Sequence, residues 1–177
     1  MIEPSFETEL AATAGALRAE WRDEQEALAR EAAEAFRHQR TLRDMLLELA
    51  ARGDRVAVSV GGVRVVGLIS AAGAELVTLQ TSAGRVEVRV DPASSVQVRV
   101  VERATAGGQR ASAAVSLRAR LLELEATGAP VRLDLLDGGE PLVGSVMVGA
   151  DHVEVAVADA GANFVSFAAI AAVRGVS

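Results

Sequence analysis

The spacing of hydrophobic residues changes after the first forty positions, and the early part predicts one long helix. Apolar side chains recur there at helical spacing, at Leu10, Leu17, Trp21 and Leu28. Ser5 precedes acidic residues, which favours a helix start, and no Gly or Pro occurs between Gly15 and Arg40. We expect an acidic amphipathic helix over residues 1–40. Its apolar stripe either packs on a partner helix, packs on the protein's own body, or belongs to a solvated helix.

A fifteen-residue pattern follows and occurs twice. Residues 42–56 read LRDMLLELAARGDRV and residues 117–131 read LRARLLELEATGAPV, with nine of the fifteen positions identical. Thr41 and Ser116 stand just before these segments, as helix N-cap residues do. Gly53 and Gly128 stand just after them, where a left-handed C-cap favours glycine. Each copy therefore opens with a short capped helix whose leucines face a core.

Five short strands are predicted after each helix, because apolar and polar residues alternate between Gly-rich turns. In the first copy they span residues 55–60, 63–70, 75–81, 85–90 and 95–101, and in the second 131–135, 142–148, 153–157, 164–167 and 170–173. Gly67 and Gly144 fall at matching places in the second strand of each copy, where the backbone is expected to bend. The predicted fold class is α+β: a long N-terminal helix, then two tandem small β-barrels over residues 41–103 and 116–177, joined by a linker over 104–115.

This order of elements resembles the Sm-like fold. The segment VSVGGVRVVGLISAAGAELVTL, residues 58–79, resembles its first motif, and SFAAIAAV, residues 166–173, resembles the closing strands of the bacterial Sm-like RNA chaperone. The resemblance covers residues 41–177, twice, and implies RNA binding on a ring or barrel surface, usually in oligomers. The Lys-His pair of that chaperone is missing: the matching stretches are Val90-Asp91-Pro92 and Ser166-Phe167-Ala168. The aromatic residue that stacks uracil has no clear counterpart in the first copy, so no uridine-pocket role is carried over.

The residue types present argue against an enzyme. Lys and Cys are absent, which excludes lysine Schiff bases, P-loop lysines, disulfides and thiolate metal sites. The histidines are His38 and His152. Asp151 and His152 would point to opposite faces of a strand, and with Asp159 they form a poor metal trio. We predict no catalytic residue, no metal and no cofactor.

Charge is distributed unevenly over a chain of net charge −6. Residues 1–40 hold nine acids against five arginines, residues 41–103 seven against eight, and residues 116–177 eight against four. The first copy is thus the most basic part, and its candidate nucleic-acid-binding residues are Arg64, Arg85, Arg89, Arg99 and Arg103. The same arginines suit pairing with acidic segments of this or a neighbouring chain, or a solvated face of mixed charge.

The second copy ends in a nearly all-apolar stretch, residues 164–173, which we expect to be buried between the two barrels or at a dimer seam. Phe164 and Phe167 therefore join the helix stripe as candidate partner-interface residues. The leading hypothesis is a non-catalytic RNA- or DNA-associated regulatory protein. The alternative is a structural or adaptor protein that binds a protein partner through the helix and the apolar edge. A homo-oligomer or protein partner is expected with either, in the cytoplasm and without a membrane, since no secretory leader or long apolar span is present.

Overall fold

The computed structural model describes residues 6–91, 93–108, 111–157 and 161–176, without the side chains of residues 6–13 and 16. The chain divides into two units, one ending at Thr41 and one running from Leu42 to Ser177. The fold is α+β, as predicted: an N-terminal helix, then shorter helices and a large antiparallel sheet.

The first unit is a single helix, α1, Phe6–Gln39. It confirms the predicted long helix, although Ser5 and the side chain of Leu10 lie outside the described residues. The apolar side chains of its central and last turns are solvent-exposed. Their exposed fractions are 51% for Leu17, 67% for Trp21, 64% for Leu28 and 70% for Phe36.

Two capped helices open the two copies in the second unit: α2, Leu42–Arg52, and α3, Leu117–Thr127. The Ser116 hydroxyl accepts a hydrogen bond from the backbone N–H of Ala119 at 3.2 Å, which confirms the predicted N-cap. Gly53 and Gly128 have φ angles of 78° and 65°, the left-handed conformation predicted for both C-caps.

Ten strands follow the helices in two groups of five. They are β1 Arg55–Val60, β2 Val63–Ala72, β3 Leu76–Thr81, β4 Gly84–Arg89, β5 Val96–Glu102, β6 Val131–Leu135, β7 Leu142–Val148, β8 His152–Val157, β9 Gly161–Ser166 and β10 Ile170–Gly175. A 3-10 turn, Phe167–Ala169, separates the last two. Every predicted strand is present, with its ends displaced by at most a few residues.

The strands form one continuous sheet in the order β5-β1-β2-β3-β4-β10-β6-β7-β8-β9. The first five and the last five strands repeat the same internal order, so the duplication seen in the sequence is also a duplication of topology. The predicted pair of small β-barrels is not confirmed, because the ten strands form one sheet that does not close into a barrel. The reason is that β10, the closing strand of the second copy, pairs with β4 of the first. We call the two halves the first and second repeat, and the β4–β10 contact the internal joint.

The segment between the repeats, predicted as a linker over 104–115, lies along the first repeat. Gly108 N–H donates to the Ala51 carbonyl at 2.9 Å, and Ser112 exchanges backbone hydrogen bonds with Ser70 and Ala72 at 3.1 Å. Gln109 and Arg110 lie outside the described residues. The placement of domain boundaries at this segment stays a prediction, since both repeats belong to one unit.

Glycines in β2 and β7 allow these strands to pass close to their neighbours. A Cβ atom on Gly67 would lie 2.5 Å from the Gln80 carbonyl oxygen of β3. A Cβ atom on Gly144 would meet the Ala156 carbonyl oxygen of β8 more closely still. The two glycines therefore occupy equivalent close contacts, as their matching positions in the sequence predicted.

Two hydrophobic cores form, one under α2 and one under α3, and they interlock at the internal joint. Leu76 of the first repeat packs into the second core with Leu121 and Leu133. Ala171 and Ala172 of the second repeat pack into the first core. Of the apolar stretch predicted to be buried, residues 164–173, only residues 170–173 are thus buried between the repeats, with Val165 in the second core, whereas Phe164, Ala168 and Ala169 are exposed. Since each repeat completes the core of the other, the second unit is one packed body.

Candidate functional site

The five candidate arginines separate into two groups. Arg85 and Arg89 lie on β4, beside the second repeat, and both are held by carboxylates of their own chain. Arg85 Nε lies 2.5 Å from Glu87 Oε1, and Arg89 pairs with Asp91. The Nη1 of Arg89 also donates to the Phe167 carbonyl at 2.5 Å, which ties β4 to the second repeat. These two arginines are therefore structural elements of the internal joint, and the structure does not bring all five candidates together; their role in nucleic-acid binding stays a prediction.

The carboxylate of Asp91, two residues after the end of β4, makes several contacts at the internal joint. Its Oδ1 accepts hydrogen bonds from the backbone N–H groups of Ala93 and Ser94, and its other oxygen pairs with Arg89. Burial raises the pKa of Asp91, but the hydrogen bond and charge of Arg89, aided by these backbone donors, outweigh it. The pKa of Asp91 is therefore lowered from its ordinary value of 3.8.

The remaining three, Arg64, Arg99 and Arg103, are exposed. Sequence reasoning missed a fourth exposed arginine beside them, Arg55 at the start of β1. Among the described residues, no carboxylate forms an ion pair with any of the four. We call Arg55, Arg64, Arg99 and Arg103 the free arginine cluster. Arg55 could have been found from its place in the alternating strand RVAVSV, at the first of the outward-facing positions.

Strand register places the cluster on one face of the sheet. Arg64 lies opposite Ser59, and Arg99 lies opposite Ala57. Ser59, Ala57 and Arg55 alternate along β1 and share the face that is turned away from the first core, where Val56, Val58 and Val60 lie. Three of the four cationic side chains therefore arise from neighbouring strands on the same side of the first repeat.

Comparison of the repeats shows why the guanidinium of Arg99 has no carboxylate partner among the described residues. Its equivalent in the second repeat is Arg174, since Arg99 lies opposite Ala57 and Arg174 opposite Arg132 in the matching strand. Arg174 Nη2 donates to Asp134 Oδ2 at 2.6 Å. The first repeat has Ser59 in place of Asp134, so no carboxylate stands at that position.

A surface cavity of about 440 Å³ lies next to the cluster, between the end of α2 and strands β2 and β3. Arg55 and Arg103 line it together with one carboxylate, Glu102, and the polar side chains Gln80, Thr81 and Ser82. Leu68, 48% exposed, provides an apolar wall. The arrangement offers two cations against one carboxylate, with hydroxyl and amide groups and one apolar surface, so its net charge is positive and suits an anionic ligand with a partly apolar body.

His152 and Asp151 contact each other, contrary to the expectation that they point apart. Asp151 precedes β8 and is not in the strand, so its Oδ1 reaches His152 Nδ1 at 2.8 Å. This hydrogen bond lowers the pKa of Asp151 from 3.8. Within the described residues no group of three or more His, Asp or Glu side chains is placed to hold a metal ion. Asp159 lies outside those residues.

Of the candidate partner-interface residues, Phe164 is 69% exposed on β9, an edge strand of the sheet. Its ring lies 6.0 Å from that of His152. Phe167 is half-buried and packs against the second core. The described helix candidates, Leu17, Trp21 and Leu28, are all exposed, as given above.

The sequence did not reveal a buried charge cluster at the internal joint. Glu87 on β4 is only 1% exposed, and its Oε1 lies 3.1 Å from Arg120 Nε of α3 as well as near Arg85. These are ion pairs by distance, although their angles do not satisfy hydrogen-bond geometry at Glu87 or at Arg120 Nε. The one signal was that the equivalent residue in the second repeat, Phe164, is apolar, although Phe164 itself is 69% exposed.

Neither a family model, nor a curated protein, nor a solved structure matches this chain. No helix in the described part of the chain combines the length and the apolar character needed to cross a membrane.

Proposed function

We propose that this chain is a non-catalytic nucleic-acid-associated regulatory protein that contacts RNA or DNA phosphates through the free arginine cluster. The observation that carries the proposal is that Arg55, Arg64, Arg99 and Arg103 are exposed on the first repeat without a carboxylate partner among the described residues. Most other arginines of the sheet are paired: Arg85, Arg89, Arg132 and Arg174 each contact a carboxylate.

An unpaired guanidinium gains more from a phosphate than a paired one, because it gives up no existing ion pair on binding. Arginine also matches the geometry of a phosphate with two parallel N–H donors. A cluster of four, three of them on neighbouring strands and Arg103 just after β5, has the local charge to attract a phosphate backbone, although the chain as a whole has a net charge of −6. The cavity beside Arg55 and Arg103 adds hydroxyl, amide and apolar contacts next to these cations.

The proposal includes the fold family. A helix and five strands, repeated with the same strand order and with a glycine-bent second strand, support an Sm-like relationship for each repeat. In an Sm-like protein of this kind each repeat would be a small barrel-like unit. The surface that binds nucleic acid would belong to the first repeat alone. The second repeat replaces the cluster with neutral or acid-paired residues, as the pairing of Arg174 with Asp134 illustrates.

The test is a binding measurement on the full chain with labelled RNA and DNA oligonucleotides, read by fluorescence anisotropy. The triple variant Arg55→Gln, Arg64→Gln and Arg103→Gln is compared with the matched control Arg18→Gln, Arg22→Gln and Arg30→Gln, which removes the same charge from exposed positions of α1. We expect the cluster variant to weaken binding at least about tenfold and the control to change it little. Equal losses in both, or no binding by the wild-type chain, would overturn the proposal.

A second candidate function is favoured by a separate observation, the exposed apolar stripe of α1. Three large side chains at helical spacing, Leu17, Trp21 and Leu28, are each more than half exposed, and such a stripe is typical of a helix that packs against another protein. This supports an adaptor that holds a protein partner through α1.

Affinity capture from native extract, with and without nuclease, separates the two functions. For the adaptor we expect a protein partner that nuclease treatment does not release and that Trp21→Glu with Leu28→Glu abolishes. Glu20→Gln with Glu26→Gln, which changes only exposed polar positions of the same helix, should retain it. Capture that disappears with nuclease and persists in the Trp21 variant would contradict the adaptor.

A further inference from the structure

The apolar stripe of α1 follows the alternating four- and three-residue spacing of a coiled-coil seam. We call the positions with this spacing the α1 seam: Leu10, Ala14, Leu17, Trp21, Glu24, Leu28, Glu31, Ala35 and His38. We propose that the α1 seam pairs with the α1 seam of a second copy of the chain, with the two helices antiparallel. The inference does not depend on nucleic-acid binding, and it names a second copy of this chain as the occupant of the exposed face of α1.

The large apolar side chains of the α1 seam lie in solvent in the single chain. Leu17, Trp21 and Leu28 are each more than half exposed, and the helix that carries them has 34 residues. It is therefore about 50 Å long. Phe36 is exposed as well, but it lies one position after Ala35 and outside the seam. A narrow stripe along so long a helix is typical of pairing with another helix.

The two glutamates of the seam decide the direction of the partner helix. In a parallel dimer in register, Glu24 would face Glu24 of the other copy, and Glu31 would face Glu31. Two pairs of like charges would then lie inside the contact, where less water screens them and their repulsion is stronger. A parallel pair is therefore disfavoured by residues of the seam itself.

An antiparallel dimer removes both repulsions. Facing Leu17 of one copy with Leu28 of the other keeps every seam position of one helix opposite a seam position of the other. In this register no glutamate of the seam faces a glutamate. The arrangement has two-fold symmetry, so each contact occurs twice and the contact closes on itself as a dimer.

Each seam glutamate faces a residue that can accommodate it in this register. Glu24 faces Trp21, whose indole N–H is a hydrogen-bond donor and whose ring offers an apolar surface to the methylene groups of the glutamate. Glu31 faces Ala14, which is small and leaves the carboxylate room to reach water. The two residues that interrupt the apolar seam are therefore tolerated when the helices run in opposite directions.

The charges at the two ends of α1 favour a second copy as the occupant. The start of the helix has the acidic residues Glu7 and Glu9, and its end has Arg37 and His38, followed by Arg40. In the antiparallel dimer the acidic end of each helix lies beside the basic end of the other, and the helix dipoles run in opposite directions. The sequence that complements α1 in charge and in seam spacing is thus α1 itself.

The first experiment compares substitutions in the seam with the same substitutions on the opposite side of α1. The molar mass of the full chain is measured by light scattering over a range of concentrations. We expect twice 18.3 kDa for the wild-type chain and 18.3 kDa for Leu17→Glu with Leu28→Glu. The control, Ala19→Glu with Ala33→Glu, adds the same charge at exposed positions outside the seam and should remain a dimer. A wild-type monomer at all concentrations, or dissociation of the control as well, would overturn the proposal.

A second experiment tests the direction of the helices with substitutions that add no charge to the seam. The chain has no Cys, so Leu17→Cys and Leu28→Cys each introduce a single thiol. After the two variants are mixed and allowed to exchange, mild oxidation should give a disulfide-linked dimer. Neither variant alone should give one, because the antiparallel register places each thiol opposite a leucine of its own kind of chain.

The outcomes of this experiment separate the possible occupants of the α1 face. Cross-linking of each variant with itself, and not in the mixture alone, would show a parallel pair and contradict the proposal. The same oxidation is repeated in native extract. A disulfide to a protein of another mass as the main product there would show that α1 holds a different partner, and this too would contradict pairing between copies.

Discussion

A buried glutamate, Glu87, stands at the centre of the contact between the repeats, with guanidinium groups of Arg85 and Arg120 beside it. A carboxylate that is 1% exposed loses nearly all its hydration, so it depends on these two cations. Arg120 is the more important of the two, because it is 15% exposed and Arg85 is 45% exposed and more screened by water.

Replacing Arg120 by Met should therefore destabilise the second unit by about 3 kcal/mol, because it leaves the buried carboxylate with one screened partner. The double variant Arg120→Met with Glu87→Phe should recover most of that loss. It places at both positions the residues that occupy the equivalent positions of the other repeat, Met45 and Phe164. Urea unfolding followed by far-UV circular dichroism measures both. A double variant no more stable than Arg120→Met alone would show that the cost does not come from the unpaired charge.

The lowered pKa of Asp91 makes its contribution to stability depend on pH. A carboxyl group whose pKa is lower in the folded state stabilises that state above its unfolded pKa, near 3.8, and the stabilisation is lost as the pH falls through the folded value. Asp91→Asn should thus be less stable than the wild-type chain at pH 7, and the difference should shrink as the pH falls below 3.8. Denaturant unfolding at a series of pH values checks this, and a difference independent of pH would refute it.

Which arginines are free was only partly predictable from the sequence. Composition and clustering correctly directed attention to the first repeat. Arg85 and Arg89 are paired with carboxylates only two residues away, Glu87 and Asp91, a spacing that the sequence shows. The sequence does not show that β4, which carries both arginines, lies against the second repeat and that Arg89 there donates to the Phe167 carbonyl. That contact joins residues about eighty positions apart, and no local pattern specifies it.

At the scale of single elements, the periodicity was a good guide. Helices α2 and α3 begin and end where the capping residues placed them, because those signals are local. Strand β9 was the least well predicted: it begins at Gly161, whereas the sequence predicted Phe164. Gly161, Ala162 and Asn163 have the composition of a turn, and it is pairing with β8 that extends the strand through them.

The bent strand β2 gives a prediction at this scale. Gly67→Ala should destabilise the second unit by about 1–3 kcal/mol, because the added methyl group would lie 2.5 Å from the Gln80 carbonyl and force β2 and β3 apart. Gly107→Ala is the matched control: its nearest neighbour is at 3.9 Å, and its effect should stay within about 0.5 kcal/mol. Thermal unfolding compares them, and equal stability of the two variants would show that β2 does not need glycine at this bend.

At the scale of the whole molecule, the sequence predicted the number and order of elements but not how the sheet is closed. The alternation of apolar and polar residues shows which face of a strand is buried, but it does not show which strand lies beside it. The pairing of β10 with β4 joins the strands into one ten-stranded sheet, where two separate small barrels were expected. Because of this pairing, Leu76 of the first repeat is buried in the second core and Ala172 of the second repeat is buried in the first. No sequence pattern within a single repeat indicates either burial.

The central claim, that the free arginine cluster of this sheet binds nucleic-acid phosphates, is tested most directly by the salt dependence of binding. Four phosphate contacts predict that the logarithm of the association constant falls with the logarithm of salt concentration at a slope of roughly −3 to −4. Removing Arg55, Arg64 and Arg103 together should reduce the slope to about −1, while the α1 control triple keeps the wild-type value. A wild-type slope near zero, or a slope that the cluster variant leaves unchanged, would contradict the account.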